Sequence, residues 1–162
     1  MAIASVKITC TACGKDFVHR KECYNRTDAS EYESWAVNHI DTCPACYAKR
    51  KASEADVKLN SVLEQFGRQL PEITGVSDKQ IAYAAKVRGR YLSDNLKSVN
   101  QYLEAMQALD DPNTRAEFAK NCEAHGIAFN DAVLQNLEYL GLITVQMMLT
   151  STSAQEILDY RR

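Results

Sequence analysis

The sequence predicts an α+β protein that is mostly α: a small N-terminal module, then a long helix, then a C-terminal helical bundle. Three observations predict it. Two Cys-x-x-Cys pairs, Cys10-Thr-Ala-Cys13 and Cys43-Pro-Ala-Cys46, are separated by 29 residues. Short runs of alternating apolar and polar residues flank the first pair. Beyond the second pair, apolar residues recur every three or four positions along most of the chain.

Val6-Lys-Ile-Thr9 and Lys15-Asp-Phe-Val18 read as two short strands of a hairpin, with the first cysteine pair in its turn. Gly14 suits the strained position just after such a turn. Ser34–Ile40 reads as another strand or a helical turn. The second pair opens a helix from Pro44 to about Leu70, in which Leu59, Val62, Leu63, Phe66 and Leu70 fall on one face. Four thiolates from two such knuckles fit the closed, tetrahedral coordination of structural zinc, Zn(2+), and leave no position open for a reacting water. A hairpin knuckle paired with a knuckle at a helix N-terminus is the zinc-ribbon or treble-clef arrangement. The alternatives are a redox dithiol, four unrelated buried thiols, or His39 standing in for one thiolate. Cys23 and His19 also lie between the knuckles, and the role of Cys23 stays open. Cys122 reads as a small apolar residue on a helix.

Gln69–Gly75 reads as a linker, because Pro71 and Gly75 interrupt a helix. It divides a module over residues 1–70 from a bundle of about four helices over 77–162. Ser77 and Gln80 form a capping box for a helix running to about Leu109, with Gly89 in its middle as a place for a kink or for close packing. Its apolar stripe is Ile81, Ala84, Ala85, Leu92, Leu96, Val99, Leu103 and Met106. A helix from Asp111-Pro112 to Gly126 turns Phe118, Ala119 and Cys122 inward. Asn130 caps the next, with Phe129 and Leu134 as a hydrophobic staple and Val133, Leu134, Leu137, Leu140 and Met147 or Met148 as core. Ser153 and Glu156 form a second capping box, opening a short helix to Arg162.

Composition narrows the function. Of 162 residues, 46% are apolar and 25% charged, and the net charge is −2. Residues 1–76 carry ten basic and ten acidic side chains, and residues 77–162 carry nine and eleven, so no overall basic field exists. The most apolar run, Leu140–Leu149, is half the length of a membrane span and reads as a buried helix. Met1–Lys7 lacks a basic region followed by an apolar stretch, so no secretory signal is read and a reducing bacterial cytoplasm is expected. Phosphate-binding glycine loops, a Gly-x-Ser-x-Gly elbow and a zinc-protease histidine pair do not occur, which argues against an enzyme. A nucleic-acid surface would draw on Lys49, Arg50 and Lys51 and on a basic stripe of Lys79, Lys86, Arg90 and Lys97 with Tyr83. The competing reading of that stripe is a solvated helix face.

Two resemblances add context. Asn38-His39-Ile-Asp-Thr-Cys43-Pro-Ala-Cys46-Tyr47-Ala-Lys-Arg50 resembles the end of an HNH nuclease. That family places a metal-binding histidine where Tyr47 stands, and its upstream Asp-His or His-His pair is missing, with only Phe17-Val-His19-Arg20 nearby. Leu70-Pro-Glu-Ile-Thr-Gly-Val-Ser-Asp-Lys-Gln-Ile-Ala-Tyr-Ala-Ala-Lys-Val-Arg88 resembles a segment of uncharacterised bacterial and phage mobile-element proteins that follows a four-cysteine zinc ribbon. Ser153–Arg161 resembles their closing segment. Tyr83 replaces a tryptophan of that family, and Glu156-Ile157 replaces its aromatic pair. The resemblance implies a mobile-element setting, in which small accessory proteins bind host or competitor machinery. The expectation is a non-catalytic, zinc-stabilised interaction protein binding a host or competitor protein, with inhibition one form of that role. The alternative is a nucleic-acid-binding zinc ribbon, and the remote one a degenerate nuclease. Neither a membrane nor a small-molecule substrate is read from the sequence.

Overall fold

The structure is a computed structural model, and it describes residues 1–160. Its chain divides into two compact units, Met1–Ser53 and Glu54–Arg162. It is mostly helical, with one small sheet at the N-terminus.

In the first unit, β1 (Ala2–Thr9) and β2 (Asp16–Cys23) pair antiparallel from Ala2↔Cys23 to Thr9↔Asp16. Alternation along β1 turns Ala4 and Val6 inward and leaves Ile3, Ser5 and Lys7 outside. Helix α1 (Arg26–His39) covers the inward face and buries Ala29 and Ala36. Asn25 caps it by accepting from the Asp28 N–H at 2.8 Å. So Ser34–Ile40, expected as a strand or a single turn, is the end of a full helix. Its buried side is made of alanines, so its apolar stripe is too faint to read as a helix.

Helix α2 (Pro44–Gln65) begins in the first unit and ends in the second. It stops short of Leu70. Gly67, at φ +60°, adopts the left-handed turn that lets the Gly67 and Arg68 N–H groups bond the carbonyls of Glu64 and Leu63.

The second unit continues with α3 (Asp78–Asp94), α4 (Leu96–Asp110), α5 (Pro112–Ala124), α6 (Phe129–Tyr139), α7 (Ile143–Thr150) and α8 (Ala154–Asp159). These are six helices among the described residues, where the sequence predicts about four. The helix expected over 77–109 is two, and the break is at Asn95, not Gly89. The Asn95 side chain donates to the Tyr91 carbonyl at 2.8 Å. Its backbone leaves the helical region at φ −120°, ψ 34°. Helix α6 has Ala128 at its N-cap with no side-chain cap, so Asn130, expected as the cap, is not one. Phe129 is therefore helical and packs edge-on against Phe118 at 5.3 Å, not in a staple. Leu134, Leu140 and Ala85, expected in the core, are exposed. Helix α8 ends at Asp159, and Arg161 and Arg162 lie outside the described residues.

The core joins Leu59 and Leu63 of α2 to Leu92, Val99, Leu137, Val145, Met148 and Ile157. The two capping boxes form at Ser77 and Ser153, each serine accepting from the N–H three residues on. Their reciprocal bonds shift by a residue or two: Gln80 accepts from the Val76 N–H, and Glu156 accepts from the Ser151 hydroxyl.

The stretch expected as a linker is instead built into the second unit. Ile73 is buried, and Thr74 pairs with Thr152 and Ala154 through backbone bonds of 2.7 and 2.8 Å. A Cβ at Gly75 would lie 3.0 Å from the Ala154 Cβ, so this glycine serves close packing. The division between the units accordingly falls within α2. Arg88 locks the arrangement. It is 7% exposed and donates to the carbonyls of Pro71 at 2.8 Å and Ser151 at 3.2 Å. Burial lowers its pKa from the ordinary value, yet a guanidinium stays charged at physiological pH. Replacing Arg88 by Met leaves two carbonyls unpaired and is expected to remove about 2–3 kcal/mol in urea denaturation. Arg90→Met, on the exposed side of the same helix, should stay within about 0.5 kcal/mol of the parent. Equal effects would refute the lock.

Candidate metal centre

The first unit brings its two cysteine pairs together by backbone hydrogen bonds. The hairpin turn closes through Cys10 N–H to the Lys15 carbonyl at 2.9 Å and Gly14 N–H to the Cys10 carbonyl at 2.8 Å. Gly14 has φ +70°, as its place in the turn predicts. Thr11 N–H then donates to the Asp41 carbonyl at 2.7 Å, tying the hairpin turn to the segment before the second pair. Cys43 N–H points at the Cys10 sulfur at 3.2 Å. Pro44 opens α2, where its missing N–H costs no hydrogen bond, and the first turn of that helix carries Cys46.

The Sγ atoms of Cys10, Cys13, Cys43 and Cys46 all lie within 4.8 Å of one another, and those of Cys13 and Cys43 are 4.0 Å apart. A tetrahedron with metal–sulfur bonds of about 2.3 Å has sulfurs about 3.8 Å apart, so drawing the cluster onto an ion needs movements of about 1 Å or less. These four residues could hold a metal ion. His39 is outside the cluster. Its Nδ1 is 2.8 Å from the Trp35 carbonyl, and its ring stacks on Trp35 with centroids 4.8 Å apart. Cys23 ends β2 with its sulfur near the Lys21 carbonyl, and Cys122 is buried in α5.

The charge distribution of the cluster favours a cation. The N–H of Cys43, helped by those of Cys13 and Ala12, lowers the Cys10 thiol to about 6. Hydrogen bonds with Cys43 and Cys13, burial, and the negative charge of Cys10 push Cys46 up to about 12. Sulfurs this close do not all ionise by themselves, and a divalent ion removes the conflict.

The basic residues behave differently from the cysteines. Lys49, Arg50 and Lys51 follow the second pair on α2, with Arg50 and Lys51 5.5 and 5.9 Å from the Tyr47 ring centroid. Lys79, Tyr83, Lys86 and Arg90 are exposed on α3 at spacings of four, three and four, which is one helix face. Arg90 also pairs with Asp94 at 3.6 Å. Lys97 does not extend this stripe: it lies on α4, beyond the break at Asn95.

One cluster escapes the sequence reading. His19 of β2 and Tyr32, Trp35 and His39 of α1 form an aromatic ladder with successive centroid separations of 5.9, 5.3 and 4.8 Å. The His19 Nε2 is 2.9 Å from the Tyr32 hydroxyl, and Lys21 sits 4.1 Å from the Tyr32 ring centroid. Spacing of Tyr32, Trp35 and His39 by three and four residues is the signal, legible only once this stretch is known to be helical. Among the described residues, no helix is long and apolar enough to cross a membrane. Comparison with protein-family models, curated proteins and solved structures finds no match.

The cluster predicts a sharp local effect of metal removal. A strong chelator, or Cys43→Ser, should abolish hydrogen-exchange protection over residues 1–53 and shift the emission of Trp35, the single tryptophan. Core amides of α3, α4 and α7 should remain protected. Metal affinity should fall as pH drops, because protons compete for the thiolates, and more steeply below about 6, where Cys10 itself takes up a proton. Retained protection over 1–53 in metal-free protein would refute the structural role.

Proposed function

We propose that this protein is a non-catalytic, zinc-stabilised interaction module that binds a protein partner. The observation that carries this reading is the aromatic ladder, half-buried at His19 and Tyr32 and exposed at Trp35 and His39, on the same small unit as the cysteine cluster. Trp35 is 47% exposed and Tyr24, nearby in sequence, is 86% exposed. Exposed aromatic rings held in fixed positions contribute much to protein–protein interfaces. The shallow hollow beside the ladder carries Lys21 against Glu22, Asp28 and Glu31, an acidic balance that repels phosphates and suits a partner with basic and apolar groups.

Zinc is the proposed ion because four thiolates and no open position match a structural zinc site, and holding two knuckles together needs no redox change. The same closure supports a non-catalytic role. The engagement of His39 with Trp35 and the presence of Tyr47 after the second pair weigh against a nuclease. Resemblance of Leu70–Arg88 to mobile-element proteins supports a phage or bacterial setting, with the partner a host or competitor protein and the location a bacterial cytoplasm.

A second reading has its own support. The face of Lys79, Lys86 and Arg90 with Tyr83 is exposed and suits phosphates and a stacked base. Two experiments separate the readings. Metal analysis of protein purified without added metal should return one zinc per chain. Capture from bacterial lysate should retain a protein partner that Trp35→Ala loses and Lys86→Glu/Arg90→Glu keeps. A gel shift with DNA or RNA that the charge reversal abolishes, with no partner lost on Trp35→Ala, would replace the first reading with the second.

A further inference from the structure

The second unit contains a cavity of about 580 Å³, within the range of small-molecule sites. Its apolar lining comes from Leu103, Met106, Val133 and Leu149, which belong to α4, α6 and α7. Polar groups gather around it in an unusual balance. Arg68 pairs with Asp110 at 2.7 Å. Arg115 is unmatched by a carboxylate among the described residues and lies over the Phe129 ring, 5.0 Å from its centroid. The cavity therefore carries two guanidiniums against one carboxylate. The unit around it is acidic, with eleven Lys/Arg against fifteen Asp/Glu. A local excess of one guanidinium at a concave, half-apolar surface favours an anion there.

Tyr102 supplies the independent sign. It lines the cavity, is 6% exposed, and its hydroxyl makes no hydrogen bond among the described residues. Among those residues, Ser93 Oγ is the sole sealed, unpartnered side-chain oxygen or nitrogen, so the Tyr102 hydroxyl opens onto the cavity. A buried hydroxyl normally has a partner. Burial raises this phenol above its ordinary pKa, and the nearby charge of Arg68 only partly offsets the rise, so the group is a neutral donor at physiological pH.

We propose that this cavity binds a small organic anion with an apolar body. Its acidic group, a carboxylate or sulfonate, would be held by Arg115 and the Tyr102 hydroxyl, and its body by the apolar lining and Phe129. The site shares no residue with the metal cluster or the proposed partner surface. It was invisible in the sequence, because its residues are scattered from Leu63 to Thr150.

The test uses the full chain and two fluorescent probes of similar shape: 1-anilinonaphthalene-8-sulfonate and the uncharged N-phenyl-1-naphthylamine. The sulfonate should saturate at one per chain. Arg115→Gln should weaken it at least tenfold, equivalent to about 1.4 kcal/mol. Tyr102→Phe should weaken it severalfold, and Arg115→Lys should recover part of the loss. Octanoate should displace the probe, and octanol should not. Circular dichroism and melting of each variant establish that it is folded. Binding that does not saturate, equal affinity for the uncharged probe, or affinity unchanged in folded Arg115→Gln would each overturn the site.

Discussion

Convergence of four sulfurs is the constraint on which the first unit rests. Its 53 residues bury few apolar side chains, namely Ala4, Val6, Cys10, Ala29 and Ala36. Three of these are alanines, whose burial contributes little, and a two-stranded sheet under one helix is marginal in water. A metal bound by Cys10, Cys13, Cys43 and Cys46 would join a hairpin turn to a helix start 30 residues away, at the place where the apolar core is thinnest. Structural zinc supplies about 10–16 kcal/mol in small zinc-binding peptides, far more than this core does. The backbone bond from Thr11 to Asp41 and the contact of Cys43 N–H with Cys10 position the sulfurs for such an ion.

The second unit obeys a different logic. Its stability comes from a continuous apolar core, and its irregular stretches are fixed by polar groups. Residues 69–76 have no helix of their own, yet Ile73 enters the core, Thr74 pairs with the segment before α8, and Arg88 bonds both stretches from α3. A charged group satisfied only by neutral carbonyls is tolerable here because it supplies each carbonyl with a strong donor that a neutral side chain would not match. Close contact of Gly75 with Ala154 follows from the same pairing. The cavity bounded by Arg68, Tyr102 and Arg115 lies in this unit, the one with the larger apolar core.

What was legible in the sequence follows from what periodicity records. The cysteine pairs, the hairpin around them, the Pro44 helix start and the serine caps at Ser77 and Ser153 are local signals, and the structure contains each. The break at Asn95 was illegible to periodicity, because Leu92, Leu96, Val99 and Leu103 stay in phase across it. Ser93-Asp94-Asn95, three residues of types that bond their own backbone, was the available sign. Helix α1 is faint in the sequence for the opposite reason: alanines on its buried face leave charged residues to dominate the pattern. The local sign of this helix is the Asn25 cap with Asp28, and the spacing of Tyr32, Trp35 and His39 then places the three rings on one face. The cavity gave no sequence signal, since only tertiary packing assembles it.

The pairing of the Ser5 N–H with the Glu33 carboxylate, at 2.8 Å, bears on how this chain avoids its own kind. A two-stranded sheet has two open edges, and each invites a further strand. On β1 a side chain from α1 occupies the donor that an incoming strand would need, and it brings a negative charge to the edge. Along β2, Arg20, Lys21 and Glu22 set charges beside the other edge. The sheet is thus guarded against stacking into larger sheets, even though Ile3 and Val18 are exposed on its surface.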